Sequence, residues 1–133
     1  MNAIARALLN RILGDRGERA AGRHLRRRGM RVILRGYRTH SGEIDLIARD
    51  GDVLVFVEVK SRRTGSPVEA VDLEKQRRIS RAAAFFLKSE GLSDVRHRFD
   101  VVAIVWPDDQ KPPSIEHFEN AFEAVEPGER RRH

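Results

Sequence analysis

Two short apolar runs on either side of an Asp-Gly dipeptide constrain the fold of this chain more than any other feature. The runs cover residues 42–48 and 53–60, and Asp50 and Gly51 lie between them. Apolar, β-prone runs that flank Asp-Gly are the strongest short-range signal for a β-hairpin. The chain is therefore predicted to contain a sheet built on this hairpin.

Three charged residues interrupt the hairpin at positions where a core strand would carry Val or Leu: Asp45, Glu58 and Lys60. A charge inside an apolar strand is costly unless it is paired or holds a metal ion. Lys60 follows Glu58 by two residues and so shares its face of the strand. These positions make the hairpin a candidate active site.

The type of turn determines how close the charged residues come. With Asp-Gly as a two-residue type I′ turn, Asp45 lies opposite Phe56 and is a diagonal neighbour of Glu58. Diagonal neighbours are about 7–8 Å apart at the backbone, so two carboxylates could converge on one cation. Such oxygen ligands suit Mg²⁺ or Mn²⁺. A salt bridge from Lys60 is the alternative, and a one-residue slip would send Asp45 to the other face.

Composition points to a polyanionic partner. The 133 residues include 26 Lys and Arg against 20 Asp and Glu, which gives a net charge of +6. This excess favours nucleic acid over a membrane surface, although solubility alone would also explain it.

The absence of cysteine excludes disulfides and thiolate metal sites. No apolar run approaches the ~20 residues that span a bilayer, and the first residues lack the pattern of a secretory signal, so a cytoplasmic location is expected.

The first 28 residues are predicted to form two helices. Apolar residues at helical spacing favour a helix over residues 3–13, which Gly14 should end. Asp15 and Glu18 then match a capping box at the start of a second helix, which runs to about Arg28. Taken alone, this pattern favours a capping role for Glu18 over a functional one.

The remaining elements follow in an α/β order. The predicted segments are a strand at 31–34, a polar loop at 36–42, the hairpin, a helix at about 72–89, a strand buried on both faces at 99–106 and an edge strand at 114–118. Residues 64–67 are expected to interrupt regular secondary structure between the hairpin and the helix. The order implies a mixed sheet with helices packed on it.

The other polar signals are weaker. Asp100, at the head of the buried strand, is predicted to pair with Arg98 or to cap the strand. Four histidines show no metal-ligand spacing and are expected at the surface or at caps: His24, His40, His97 and His117.

The arrangement of Asp45, Glu58, Val59 and Lys60 resembles the metal-binding core of the PD-(D/E)XK nuclease superfamily, which includes type II restriction endonucleases and archaeal Holliday-junction resolvases. More closely, the chain resembles the YraN-like family of bacterial proteins, usually described as endonuclease-like. The matching segments are residues 17–21, 42–48, 56–62, 75–76 and 98–102. Two positions differ: Ile44 replaces the superfamily's Pro, and Gly36 stands where the family tends to have Asn.

The resemblance implies a fold and a domain organisation. The expected fold is restriction endonuclease-like, with a central mixed β-sheet flanked by α-helices. It implies one endonuclease-like domain over residues 1–125, in which residues 1–14 are a helical extension. Residues 126–133 are expected to be a disordered charged tail.

The resemblance also implies roles for the site residues. Asp45 and Glu58 would bind Mg²⁺ or Mn²⁺, with the carbonyl of Val59 as a further ligand and Lys60 as the catalytic lysine. Glu18 matches a helix glutamate that completes such sites in the resolvases.

The implied function is metal-dependent hydrolysis of phosphodiester bonds in nucleic acid, with DNA as the expected substrate. A non-catalytic nucleic-acid-binding protein of the same fold is the alternative, and a protein-interaction scaffold is a third class. Analogy with the resolvases suggests a homodimer. Six polar residues are candidates for contact with the nucleic acid: Arg38, Arg62, Arg63, Lys75, Gln76 and Arg78.

Overall fold

Five β-strands form one mixed sheet in the part of the chain that the computed structural model describes, residues 2–63, 71–107 and 111–125. The elements are α1 (Ala3–Arg27), β1 (Arg31–Thr39), β2 (Gly42–Asp50), β3 (Val53–Arg62), α2 (Leu73–Ser89), β4 (His97–Val105) and β5 (Ser114–Phe122). The strands lie in the order β1-β2-β3-β4-β5, with β3 and β4 parallel and the other neighbours antiparallel. The predicted mixed α/β architecture is confirmed. The predicted interruption of secondary structure at 64–67 and the predicted tail at 126–133 lie outside the described residues.

The two helices cover opposite faces of the sheet, and the alternating side chains of β3 pack against one helix or the other. Val55 and Val57 pack with Leu25 of α1 in one buried cluster. Phe56 points the other way and packs with Phe86 of α2 in a second cluster. The sheet is therefore the middle layer of three, and β3 is buried on both faces.

A single helix, α1, replaces the two helices predicted for the first 28 residues. Its N-cap is Asn2, whose side chain accepts a hydrogen bond from the Ala5 N–H at 2.8 Å. Gly14 does not end the helix, because one glycine inside a helix costs only about 1 kcal/mol relative to alanine. The predicted capping box is wrong, since Asp15 and Glu18 lie well inside α1.

Two other glycines shape α1 and its surroundings. Gly29 follows the end of the helix with a φ of 89°, the left-handed conformation typical of a helix terminator. Gly17 lies against β3, where an added Cβ would be 2.9 Å from the Cβ of Ser61. This close approach places the next residue, Glu18, near the C-terminal end of β3, where the charged residues lie.

Strand β1 extends to Thr39 and includes much of the segment predicted to be a polar loop. Only His40 and Ser41 remain as the turn to β2, where the Thr39 hydroxyl accepts the N–H of Gly42 at 3.1 Å. Gly36 has a φ of 65°, in the left-handed region that Gly adopts freely and Asn tolerates. This conformation explains why Gly can stand where the resembling family tends to have Asn.

The predicted hairpin forms, but its turn is one residue further along the chain. Asp50 pairs with Val53, so the turn consists of Gly51 and Asp52. Gly51 has a positive φ of 61°, whereas Asp52 does not. This combination fits a type II′ turn rather than the predicted type I′ turn, which needs positive φ at both positions.

The different turn moves every predicted partner in the hairpin by two residues. Phe56 pairs with Ile47 and not with Asp45. Because side chains alternate with a period of two, a shift of two residues does not by itself move a side chain to the other face. The ladder ends one position before Asp45 and Glu58, which are therefore the next opposed positions rather than diagonal neighbours.

The second half of the chain forms largely as predicted. Asp72 caps α2 by accepting the Lys75 N–H at 2.9 Å, and β4 is a strand buried on both faces. Strand β5 continues to Phe122, four residues beyond the predicted end at Phe118. In the described part of the chain, neither helix is both long and apolar enough to cross a membrane.

Candidate functional site

A cleft of about 500 Å³ opens between the β1–β2 turn, the adjoining parts of β2 and β3, and the first turns of α2. Two carboxylates, Asp45 and Glu58, line its inner part. The other lining residues are Arg38, Thr39, His40, Ser41, Gly42, Glu43, Val59, Lys75, Arg78 and Ile79. The cleft therefore combines paired acidic groups with basic groups from two different elements.

The alternation of β2 is interrupted next to Asp45, which lines this cleft. Ile44 and Ile47 both pack towards α2, whereas Leu46 packs towards α1. Strict alternation would have placed Ile44 with Leu46. The interruption lies beside Gly36 of β1, which has a positive φ. The cleft therefore lies at an irregular part of the sheet.

The carboxyl group of Asp45 replaces a main-chain acceptor at the end of the hairpin ladder. Its Oδ2 accepts the Val59 N–H at 2.8 Å. Burial, the nearby charge of Glu58 and a hydrogen bond to Glu58 raise the pKa of Asp45 to about 8, even though the Val59 N–H favours the ionised form. The raised pKa means that the ionised form of Asp45 is disfavoured beside Glu58.

Glu58 is buried, with 6% of its side chain exposed, and its partner is a lysine from another element. Lys75 Nζ lies 3.1 Å from Glu58 Oε2. Burial disfavours the ammonium, but the charge and hydrogen bond of Glu58 outweigh it and raise the pKa of Lys75. Lys75 therefore remains charged and neutralises one of the two carboxylates.

Basic side chains border the cleft on both sides. Arg38 belongs to β1 and lies 3.2 Å from Glu43, in an exposed ion pair. Arg78 lies on α2, one turn after Lys75. The two sides are held together at Gly42, where an added Cβ would lie 2.3 Å from the carbonyl oxygen of Arg78. Only glycine allows the β1–β2 turn to approach α2 this closely.

The structure brings some of the predicted site residues together and leaves others aside. Asp45, Glu58 and Val59 line the cleft, whereas Lys60 and Glu18 are half-buried and do not. Glu18 is still close enough for its charge to raise the pKa of Asp45. Burial and the charges of Asp15 and Glu43 raise the pKa of Glu18 itself.

The predicted nucleic-acid contacts divide in the same way. Arg38, Lys75 and Arg78 line the cleft. The Gln76 side chain instead donates to the Val71 carbonyl at 2.8 Å, which stabilises the chain before α2. The other two, Arg62 and Arg63, lie at the end of β3 beyond the cleft.

The acidic pair suits a hard divalent cation, with the Val59 carbonyl and water available to complete its coordination. Mg²⁺ commonly binds through one or two carboxylates and keeps several waters. Among the residues that the structure describes, no group of three His, Asp or Glu side chains has the spacing of a metal site. Such an ion would therefore rely on few protein ligands.

A second polar cluster lies away from the cleft, where the sequence predicted only scattered histidines. Asp100 accepts hydrogen bonds from Arg98 at 3.0 Å, from His117 Nε2 at 2.8 Å and from the Asn120 N–H at 2.9 Å. His117 Nδ1 is also 3.1 Å from His24 Nε2. The predicted pairing of Asp100 with Arg98 is confirmed. The surface or capping role predicted for His117 is wrong, because only 2% of its side chain is exposed.

Sequence reasoning missed two features that depend on packing between elements. One is the contact of Lys75 with Glu58, and the other is the approach of His117 to Asp100 and of His24 to His117. The charged position inside buried β4 signalled that Asp100 needs partners. The sequence identified Arg98, two residues away, but no local pattern identified the distant His117.

The fold and the cleft define a mixed α/β protein with a paired-carboxylate site beside a buried parallel strand. The chain belongs to the uncharacterised protein family UPF0102, whose model matches residues 17–104. That range includes both carboxylates, Lys75 and the part of α1 that carries Glu18.

Three relatives illustrate the extent of the similarity. The UPF0102 protein of Geobacter sulfurreducens is 52% identical over 119 residues, which cover 86% of this chain and 91% of that protein. The Rhodopirellula baltica protein is 48% identical over 87% of this chain and 73% of its own length. The Desulfosudis oleivorans protein is 47% identical over 84% of this chain and 89% of its own length.

Proposed function

We propose that this protein is a metal-dependent nuclease that hydrolyses phosphodiester bonds in nucleic acid, with DNA as the expected substrate. The observation that carries the proposal is the pair of carboxylates in a cleft bordered by basic residues, with Glu58 buried and Asp45 half-buried. Carboxylates that repel each other favour a cation between them, and a basic border favours an anionic substrate. The restriction endonuclease-like fold belongs to this proposal.

The chain's own residues would divide the work in the cleft. Asp45 and Glu58, with the Val59 carbonyl, would hold Mg²⁺ or Mn²⁺. Such an ion, when bound, polarises the phosphoryl group and lowers the pKa of water. Lys60 would offset charge that develops on phosphorus, as the resemblance to the nuclease superfamily implies.

The basic residues would position the substrate by its phosphates. Arg38 on one side of the cleft and Arg78 on the other can each contact a backbone phosphate. Such contacts carry no sequence information, so the proposal commits to a phosphodiester backbone and not to a base sequence. Glu18, behind the cleft, would add negative charge that favours cation binding.

The direct test is cleavage of labelled duplex and branched DNA in Mg²⁺ by the wild-type protein and two variants. Asp45→Asn and Lys60→Met should each lower the cleavage rate by about 100-fold or more. Asp52→Asn, an exposed change in the turn at the other end of the hairpin, is the matched control and should cleave normally. Cleavage that survives Asp45→Asn would reject the assigned site.

A second candidate function is non-catalytic binding of nucleic acid. The ion pair of Lys75 with Glu58 favours it, because a neutralised carboxylate has less need of a metal ion. In that case DNA binding would persist in EDTA and in Asp45→Asn, with no cleavage under any condition. Binding that barely weakens with added salt would contradict both functions, since phosphate contacts release counterions.

A further inference from the structure

We propose that Lys75 is an exchangeable counter-ion, which neutralises Glu58 in the free protein and moves to a substrate phosphate when a divalent cation occupies the carboxylate pair. The inference rests on the proposed function and deepens it. It gives a role to the lysine of α2 that lines the cleft, in addition to the role proposed for Lys60 of β3.

The position of the ammonium group carries the first step. Lys75 Nζ is 3.1 Å from Glu58 Oε2, and the side chain is 45% exposed while that of Glu58 is 6% exposed. The ammonium therefore lies between a buried carboxylate and solvent. A cation that enters the cleft would compete with it for the same carboxylate oxygen.

The second step is that the backbone of Lys75 is held by its neighbours, whereas its half-exposed side chain reaches Glu58 through a flexible stem. Asp72 accepts the Lys75 N–H at 2.9 Å, and Gln76 holds the preceding chain through Val71 at 2.8 Å. Gly42 packs on the Arg78 carbonyl one turn later. A lysine carries its charge on a flexible four-carbon stem, so the ammonium can exchange partners without movement of the helix.

The third step concerns where the displaced ammonium would go. Lys75 and Arg78 line the same cleft from one helix, so their two positive charges face the same space. Once Glu58 is occupied, an anionic phosphate in the cleft is the available partner for both side chains. Lys60 does not line the cleft and lacks this geometry.

The test compares Lys75→Met with the wild-type protein in two binding measurements. Without the competing ammonium, Lys75→Met should bind Mn²⁺ about three- to tenfold more tightly by calorimetry. With Ca²⁺ in place of Mg²⁺, it should bind a labelled DNA junction more weakly, and the slope of log affinity against log salt should fall by about one. Lys88→Met, an exposed change at the other end of α2, is the control and should alter neither value.

The outcomes separate this inference from the proposed function. Equal or weaker Mn²⁺ binding by Lys75→Met would overturn the counter-ion role even if the wild-type protein cleaves DNA. Tighter Mn²⁺ binding with no DNA binding or cleavage by any form would support the displacement of Lys75 and reject both its transfer to phosphate and the nuclease. A wild-type protein that binds no Mn²⁺ would overturn both proposals.

Discussion

Two aspartates of the same sheet, Asp45 on β2 and Asp100 on β4, have opposite pKa shifts. Asp100 is fully buried, but its hydrogen bonds from His117, Arg98 and the Asn120 N–H outweigh the cost of burial and lower its pKa. Asp45 is half-buried, and desolvation together with the charge of Glu58 raises its pKa to about 8. Burial alone therefore does not set the direction of the shift, which depends on whether hydrogen-bond donors or a second carboxyl group surround the aspartate.

The two regions also differ in how their charges are compensated. Arg98 bridges Asp100 and Asp50, with its guanidinium 3.1 Å from Asp50, and it joins β4 to the turn of the hairpin. Both carboxylate oxygens of Asp100 accept hydrogen bonds from groups of the protein. Around Asp45, by contrast, Lys75 is ion-paired with Glu58, so one ammonium group faces two carboxyl groups.

The substitution with the largest expected effect removes the carboxylate at the centre of the Asp100 cluster. Asp100→Ala leaves Arg98 and His117 without their shared acceptor, and it should lower the free energy of unfolding by about 3–5 kcal/mol. Urea denaturation at pH 7 measures this loss. Asp94→Ala, at an exposed position, is the control and should change stability by less than about 0.5 kcal/mol. A small loss in Asp100→Ala would show that the network is not a stabilising unit.

A steric change tests how the cleft is held open. Gly42→Ala forces a Cβ towards the Arg78 carbonyl, so it should lower the free energy of unfolding by about 1–3 kcal/mol. Gly14→Ala is the matched substitution in α1, where an added Cβ meets nothing within 4 Å. It should raise stability by about 0.5–1 kcal/mol, because alanine is the better helix former. Equal effects in thermal unfolding would contradict the close approach at Gly42.

A substitution in the cleft should act in the direction opposite to Asp100→Ala. Asp45→Asn removes a carboxyl group whose ionisation is disfavoured, so in EDTA at pH 9 it should raise the free energy of unfolding by about 1–2 kcal/mol. The same variant should lose Mn²⁺ binding. A destabilised Asp45→Asn at pH 9 would mean that the ionised carboxylate is already compensated.

The opposite pKa shifts of Asp45 and Asp100 predict opposite pH dependences of stability. The raised pKa of Asp45 contributes stability that is complete below its ordinary value of 3.8 and is lost as pH rises to about 8. The lowered pKa of Asp100 contributes stability that is present above 3.8 and is lost as pH falls through the folded-state value. Urea titrations of the wild-type protein and Asp45→Asn between pH 4 and 9 should therefore diverge as pH rises. Parallel curves would contradict the raised pKa of Asp45.

Local patterns in the sequence determined much of the fold. Apolar alternation predicted the hairpin and the faces of the β3 side chains, and the apolar patterns of α2 and β4 predicted the adjoining elements. Asp45 and Glu58 line one cleft despite the error in the turn, since a shift of two residues does not by itself move a side chain to the other face. The helix boundary at Gly14 failed, since a single glycine is a weak signal against an otherwise continuous helix.

What the tertiary structure alone decided is which charges meet. The sequence determined that Asp45, Glu58 and Asp100 occupy apolar strands and therefore need partners. Lys75 reaches Glu58 from 17 residues away, and His117 reaches Asp100 from a similar separation, only because α2 and β5 pack beside β3 and β4. Partner choice depends on distances of a few ångströms between separate elements, and no local pattern of residues specifies those distances.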